Sequence, residues 1–449
     1  MLHMPTPVTH LITLLQDAGF LAYAVGGCVR DSLLGRTPSD WDLCTAATPQ
    51  QARDVLQAAG IIVHETGLQH GTITAVVEHN AYEITSFRRD GAYTDYRRPD
   101  AVHFTQDLHE DLARRDFTIN AMAFHPSEGL IDPFGGQADL RAGIIRCVGE
   151  PAQRFAEDTL RILRALRFAA TLGFAIDEKT AQAAHDLHQN LSHIAHERVA
   201  VELTKLLCGS HACAVLLTHR EVIFTVLPEL AALNGFDQRT PWHCHDIYTH
   251  SCVAVANVPP EPALRWAALL HDTGKPACFF LRDGTGHFHG HPAVSADITR
   301  EICARLRFSR KLAQQVHTLV EHHELRLLEE QLPPSTRLRK LLGQHGGDTL
   351  LQLLALNRAD VCAQHPSKLH RLQNYEPIQH EIEHLIAEQS CVTRKQLAVR
   401  GTDLLALGLH DQQIGQALNE LLQQVINGSL PNEREALLAA APTVTPGKT

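Results

Sequence analysis

Apolar positions change their period part-way along the chain. In the first ninety or so residues short apolar runs alternate with amphipathic stretches. They predict a helix over Thr9 to Ala18, a strand over Leu21 to Val25, a helix through Leu34, a strand over Trp41 to Thr45 and a helix from Pro49. Thr48 before Pro49 suits an N-cap and first-turn pair. Ile61 to Glu65, Thr72 to Glu78 and Tyr82 to Phe87 read as strands, the last two joined by a turn at His79-Asn80. Arg88 to Val102 is polar and broken by Gly and Pro, and reads as a mobile loop. After Ile144 to Val148 the spacing is almost entirely helical, and Ala439 to Thr449, rich in Pro, Thr and Gly, reads as a disordered end. The pattern predicts an α/β head of roughly 140 residues followed by a mostly all-α remainder.

Within the head, candidate chemistry collects between Val25 and Asp42. Gly26-Gly27 lets the backbone approach a ligand closely, and Arg30 follows on a helix start. Asp40 and Asp42 are spaced for one face of a strand, where side chains alternate with period two. Two adjacent carboxylates repel unless a cation lies between them, and hard oxygen ligands suit Mg²⁺ and phosphoryl transfer. Neither the dinucleotide-binding glycine fingerprint nor the P-loop motif is present.

Downstream, Asp111 opens a charged helix start running into an apolar stretch, in which Arg115 can meet a triphosphate while Asp116 and Asn120 hold the segment that carries it. A helix opening near Gln153 carries Asp158, Arg161 and Arg164 at spacing three near one face, with Leu160, Leu163 and Leu166 on the other. An Asp acceptor beside an Arg donor complements the amino group and ring nitrogen that cytosine and adenine present. It clashes with uracil and guanine, which present a carbonyl beside an N–H.

Composition narrows the setting. The 449 residues, 44% hydrophobic, suffice for two to four domains. The net charge of −10 gives no bulk attraction for nucleic acid, so any RNA contact must be local. From Arg88 to Arg167 every basic side chain is Arg, matched by as many acids. Eleven scattered cysteines without a Cys-x-x-Cys pair, and no secretory leader or long apolar run, predict a cytoplasmic protein that does not enter a membrane. Ten of the 30 histidines fall between His243 and His323 and mark a second site.

Four motifs, in order over residues 20 to 205, resemble the class II tRNA nucleotidyltransferases, the CCA-adding enzymes of the polymerase-beta-like superfamily. They are Gly26-Gly27-x-x-Arg30 with Asp40-x-Asp42, Arg114-Arg115-Asp116-x-x-x-Asn120, Glu157-Asp158-x-x-Arg161, and His196-Glu197-Arg198-Val199. The resemblance implies a polymerase-beta-like nucleotidyltransferase head (1–142), a helical neck (143–235), an HD body (236–375) and a tRNA-binding tail (376–449). It implies addition of C, C and A to tRNA from CTP and ATP. Asp40 and Asp42 would hold Mg²⁺, and Gly26, Gly27, Arg30 and Arg115 would bind the triphosphate, supported by Asp116 and Asn120. Asp158 and Arg161 would read the base with Arg164 and Arg167 close by, and the loop Arg88 to Pro99 would switch CTP to ATP. Other superfamily members carry a third carboxylate where Glu83 stands, a pattern from which this class departs.

His250, His271-Asp272, His291 and Asp360 resemble the ligand set of an HD phosphohydrolase, with Ni²⁺, Co²⁺ or Mn²⁺ as candidate metals and phosphomonoesters or 2′,3′-cyclic phosphates as candidate substrates. Two alternatives share these motifs. One is a poly(A) polymerase, and the other an HD phosphohydrolase whose head senses nucleotides. The sequence is compatible with a monomer or a homodimer.

Overall fold

The computed structural model describes residues 3–68, 71–91 and 102–444, and the chain divides into two compact units, Met1–Pro228 and Glu229–Thr449. The first unit opens with α1 (Thr6–Asp17), β1 (Ala22–Val25), α2 (Gly27–Leu33), β2 (Leu43–Thr45), α3 (Pro49–Ala58), β3 (Ile62–Gly67), β4 (Thr72–Val77) and β5 (Asn80–Ser86). It continues with β6 (Arg88–Asp90), β7 (Val102–Phe104), α4 (Leu108–Ala113), β8 (Ala123–His125), β9 (Gly129–Ile131) and α5 (Gly136–Ala142). Seven strands form one sheet in the order β3-β4-β5-β2-β1-β8-β9. Only β2 and β5 run parallel, so the sheet is mixed. Every residue of β1 and β2 is buried, as their continuous apolar runs require of central strands. At α3, Thr48 Oγ1 accepts from Gln51 N while Gln51 Oε1 accepts from Thr48 N, a capping box that fixes the predicted helix start.

Three local expectations are corrected. The segment read as a loop from Arg88 to Val102 begins and ends in a short antiparallel ladder, β6 against β7, while residues 92–101 lie outside the described ones. The stretch from Asp111 is not one helix. α4 stops at Ala113, and a separate turn of 3₁₀ helix covers Thr118–Asn120. The helix expected from Gln153 is two, α6 (Pro151–Glu157) and α7 (Leu160–Leu172). Between them Asp158 is extended, with φ −139° and ψ 99°, and its carboxylate accepts from Leu160 N at 3.2 Å. A short acidic side chain that bonds its own downstream backbone competes with helix continuation.

Gly136, at the start of α5, sits against the 3₁₀ turn so closely that a Cβ there would lie 2.2 Å from the Thr118 carbonyl oxygen. Gly136→Ala is expected to destabilise the first unit by about 1–3 kcal/mol through this overpacking, read as a lowered midpoint in urea unfolding.

Apart from a two-residue parallel pair, Ile144–Ile145 with Ala175–Ile176, the remainder of the first unit is helical: α8 (Glu178–Leu187), a 3₁₀ stretch His188–His193, α9 (His196–Leu207), α10 (Ala212–Thr218) and α11 (Arg220–Val226). The second unit carries an antiparallel pair, Phe280–Arg282 with Thr285–His287, and helices α12 (Ile247–Asn257), α13 (Pro262–Leu270), α14 (Lys275–Cys278), α15 (His291–Arg305), α16 (Arg310–Glu321), α17 (Ser335–His345), α18 (Gly347–Cys362) and α19 (Tyr375–Ala387). It ends with α20 (Gly401–Ala406), α21 (Gln412–Ile426) and α22 (Arg434–Val444). The end expected to be disordered from Ala439 is helical to Val444, because Leu437 and Ala441 are fully buried against Leu404, Leu421 and Ile426. No helix among the described residues is long and apolar enough to cross a membrane.

Candidate functional site

Asp40 and Asp42 precede β2 rather than lying in it. The alternation survives nonetheless, since Trp41 between them is buried and both carboxylates are exposed. Asp42 reaches solvent, yet protein crowds much of the space around its carboxyl, and this partial desolvation, then the charges of Asp40 and Glu83, push it up to about 6, against the pull of Arg115. Such a cluster is short of positive charge, and its hard oxygen donors fit a divalent cation of the Mg²⁺ kind.

Gly26 has φ 81°, and a Cβ at that position would lie 3.2 Å from Arg115 Nη1. The glycine thus provides both the left-handed backbone and the room that Arg115 occupies. Arg115 also bonds Asp111 at 3.2 Å, and Arg114 bonds the same carboxylate at 2.8 Å. Burial opposes ionisation of Asp111, but the Arg115 and Arg114 guanidiniums hold its carboxyl below the usual range.

From Arg30 a buried chain of bonds runs toward α7. Arg30 Nη1 donates to Asn120 Oδ1 at 2.6 Å, Asn120 Nδ2 donates to Asp116 Oδ1 at 3.0 Å, and Arg164 donates twice to Asp116 Oδ2, at 2.8 and 2.6 Å. Burial works against the Asp116 charge, yet Arg164 and Asn120 hold it ionised well below the usual range. Asp116→Ala removes a buried partner from Arg164 and Asn120 together. A loss of about 3 kcal/mol is expected, at the low end for a broken buried pair because the Arg164 side chain keeps 32% of its exposure, and equilibrium denaturation measures it.

Arg115, Asp116, Asp158, Arg161 and Arg164 converge on one cavity of about 580 Å³, lined also by Arg114, Leu160, Glu197, Arg198, Val201 and Glu202. The helix break at Asp158 therefore does not separate it from the two arginines. It does change their pairing. Asp158 meets Arg198 at 3.0 Å rather than Arg161. Arg161 turns to Glu157 at 3.0 Å and to the carbonyls of Arg154 and Arg114. Arg167 is not part of the lining. It reaches Glu202 at 3.0 Å and lies over the Phe168 ring at 4.2 Å. Arg198 and Glu202 were missed as individual residues in the sequence. Their spacing of four on α9, which puts both on one face, is the signal that could have singled them out.

In the second unit the five expected ligands do meet, joined by His323, which sequence reasoning did not separate from its neighbour His322. One group comprises His250, His271 and Asp360, the other Asp272, His291 and His323. Asp272 faces both. Its Oδ2 is 3.2 Å from His271 Nε2 and 3.6 Å from His250 Nε2, and its Oδ1 is 3.2 Å from His291 Nε2 and 3.7 Å from His323 Nε2. Lys275 Nζ approaches Oδ2 at 2.7 Å and Gln238 Oε1 at 2.9 Å. Burial, and then His271, push His323 down to about 3, leaving a neutral imidazole. Asp272 is kept ionised despite its burial by His271 and Lys275. Imidazoles and carboxylates arranged as two three-donor groups fit divalent transition metals. A cavity of about 370 Å³ opens onto Asp272, His291, His323 and Asp360 and is rimmed by Trp242, Arg326, Lys368 and Arg371.

A family model described as the poly A polymerase head domain matches residues 22–146, and one for tRNA nucleotidyltransferase domain 2 matches residues 293–441. A CCA-adding enzyme of Lacticaseibacillus paracasei is 33% identical over 433 residues, 95% of this chain and 93% of that protein. The chain belongs to the CCA-adding enzyme family. A CCA-adding enzyme of Leuconostoc mesenteroides is 48% identical over 219 residues, 49% of this chain. The chain spans about half the length of that relative and of the one from Lactobacillus helveticus, 54% and 49%. Among solved structures, the Bacillus stearothermophilus CCA-adding enzyme in complex with CTP is similar over 98% of both chains, with 28% identity and a TM-score of 0.73. The Thermotoga maritima CCA-adding enzyme complexed with tRNA shares the fold at 20% identity and a TM-score of 0.58, over 97% of this chain and 94% of that one. The mixed-sheet nucleotidyltransferase head and mostly helical remainder are thus the architecture of CCA-adding enzymes.

Proposed function

We propose that the chain adds C, C and A to the 3′ end of tRNA, using CTP and ATP and reading the incoming base with protein side chains. The observation that carries this reading is the convergence of Asp158, Arg161 and Arg164 with Arg115 on one cavity, Arg115 itself lying against Gly26 and in the field of Asp42. Asp40 and Asp42 would hold Mg²⁺, which supplies activation of the 3′-hydroxyl and charge stabilisation at the leaving pyrophosphate. Arg115 and Arg30 bind the triphosphate beside Gly26 and Gly27, while Asp116 and Asn120 orient them through the bonds described. Asp158 accepts from the amino group that cytosine and adenine share, and an Arg donor bonds their ring nitrogen. For Arg161 to be that donor, a guanidinium now held by Glu157 and two carbonyls must turn toward the base.

The proposed division is a head over 1–142, a neck over 143–235, an HD body over 236–375 and a tRNA-contacting tail over 376–449. The buried histidine–aspartate cluster supports a second activity, metal-dependent phosphohydrolysis with Ni²⁺, Co²⁺ or Mn²⁺. Eleven free cysteines support a reducing, cytoplasmic setting.

The test incubates the protein with Mg²⁺, CTP, ATP or both, and tRNA transcripts ending before C, after C and after CC, with products resolved to single nucleotides. Growth that stops at CCA, with ATP used only after CC, is expected. The matched head family is described by poly(A) polymerase, and long A-tails on any RNA would transfer the assignment to that activity.

A further inference from the structure

A third group of side chains with metal-ligand chemistry lies in the helical part of the first unit, outside the cavity described above. His185 lies in the last turn of α8 and His188 opens the 3₁₀ stretch three residues later, so both imidazoles share a face. Glu221, in the first turn of α11, meets them from the opposite side, its Oε2 3.0 Å from His185 Nδ1. One ring nitrogen of each histidine and a Glu221 oxygen all lie within 4.8 Å of one another.

The His188 ring is held in place. Its Nδ1 is 2.6 Å from Thr225 Oγ1, and Thr225 donates its hydroxyl proton to the Glu221 carbonyl at 3.1 Å. One turn of α11 therefore presents a carboxylate to the site and a hydroxyl that orients a histidine. Ring orientation by such a bond is what metal-ligating histidines ordinarily require. The side chains of His185 and Glu221 are 58% and 63% exposed, so they can close by rotamer adjustment while solvent supplies a further position. Zn–N and Zn–O bonds of about 2.0–2.1 Å place neighbouring donors of a tetrahedral ion about 3.3 Å apart, so no pair of donors needs to close by more than about 1.5 Å.

We propose that His185, His188 and Glu221 form a zinc-type site, two imidazoles and one carboxylate with an open fourth position, that clamps the junction of α8 and the 3₁₀ stretch to α11. Borderline-soft nitrogen donors select Zn²⁺, Co²⁺ or Ni²⁺ over Mg²⁺. The site stands apart from nucleotide addition and from the histidine–aspartate cluster of the second unit.

Metal-stripped full-length protein is dialysed to equilibrium against graded ZnCl₂, and bound zinc is counted for wild type, His185→Ala and Glu221→Gln. Both substitutions are at exposed positions and leave the other metal groups intact, so any difference counts this site alone. Each variant is expected to lose one zinc equivalent, with nucleotide addition in Mg²⁺ unchanged and with Mg²⁺ failing to displace the zinc. Thr225→Val, which keeps all three donors but frees the His188 ring, is expected to weaken this zinc by about tenfold. Equal zinc counts and affinities in wild type and both variants would reduce the group to a surface ion pair and overturn the proposal. Loss in His185→Ala alone would overturn the three-donor arrangement.

Discussion

On the proposed function, Asp42→Ala is expected to abolish nucleotide addition, with kcat/KM down by at least about 10³-fold, because the metal's several kcal/mol of charge stabilisation at the reacting phosphate would go with its ligand. Single-turnover extension of a tRNA ending in CC measures it, and retention of most of the activity would remove the carboxylate pair from the mechanism. Any phosphatase activity of the second unit should survive the substitution. The same residue predicts a pH effect. Its carboxyl is raised to about 6 in the metal-free protein, first by desolvation and then by Asp40 and Glu83, so protons would compete with the proposed metal for it. At limiting Mg²⁺, activity should fall as the pH drops through about 6, and saturating Mg²⁺ should move that fall to lower pH. Stability has the opposite sign. A raised carboxyl favours the folded state most below its ordinary value of 3.8, and that contribution is lost as the pH rises through about 6.

On the proposed second activity, His271→Ala is expected to eliminate phosphatase activity supported by Ni²⁺, Co²⁺ or Mn²⁺ and to leave the proposed CCA addition in place. His271 Nε2 is 3.3 Å from His250 Nε2 and 3.2 Å from Asp272 Oδ2, so its removal opens the first donor group and takes one neighbour from the aspartate that the second group shares. Hydrolysis of 2′,3′-cyclic nucleotides and of phosphomonoesters, with and without each metal, measures the effect. No metal-dependent difference between wild type and variant would leave the cluster a structural one.

Legibility followed the range of the forces involved. Period-two and helical spacing, which are local, predicted strands β1 to β5 and the alternation of Asp40, Trp41 and Asp42, and Thr48-Pro49 marked the start of α3 to the residue, whereas the three-residue strands β8 and β9 are too short to show a period. The break at Asp158 was not legible by spacing, because the bond that Leu160 N–H donates to the Asp158 carboxylate outweighs a pattern that is helical on both sides. Partner choice was least legible. Asp158 and Arg161 lie three residues apart, yet each pairs elsewhere: Arg198, forty residues on, takes Asp158, and Glu157, four residues back on the preceding helix, takes Arg161. His323 differs from His322 only by which side of a helix end it leaves, and burial beside Asp272 is what distinguishes it.

The bonded series Arg30–Asn120–Asp116–Arg164 limits how this enzyme can be re-engineered. In the proposed reading its first member grips phosphate and its last belongs to the base-selecting wall, and every link is a hydrogen bond of 3.0 Å or less. A library that varies Arg164 to admit uracil or guanine would release Asp116, then Asn120, and so loosen the hold on every nucleotide alike. Altered letter choice should therefore arrive with weaker substrate affinity unless Asp116 and Asn120 are varied in the same library.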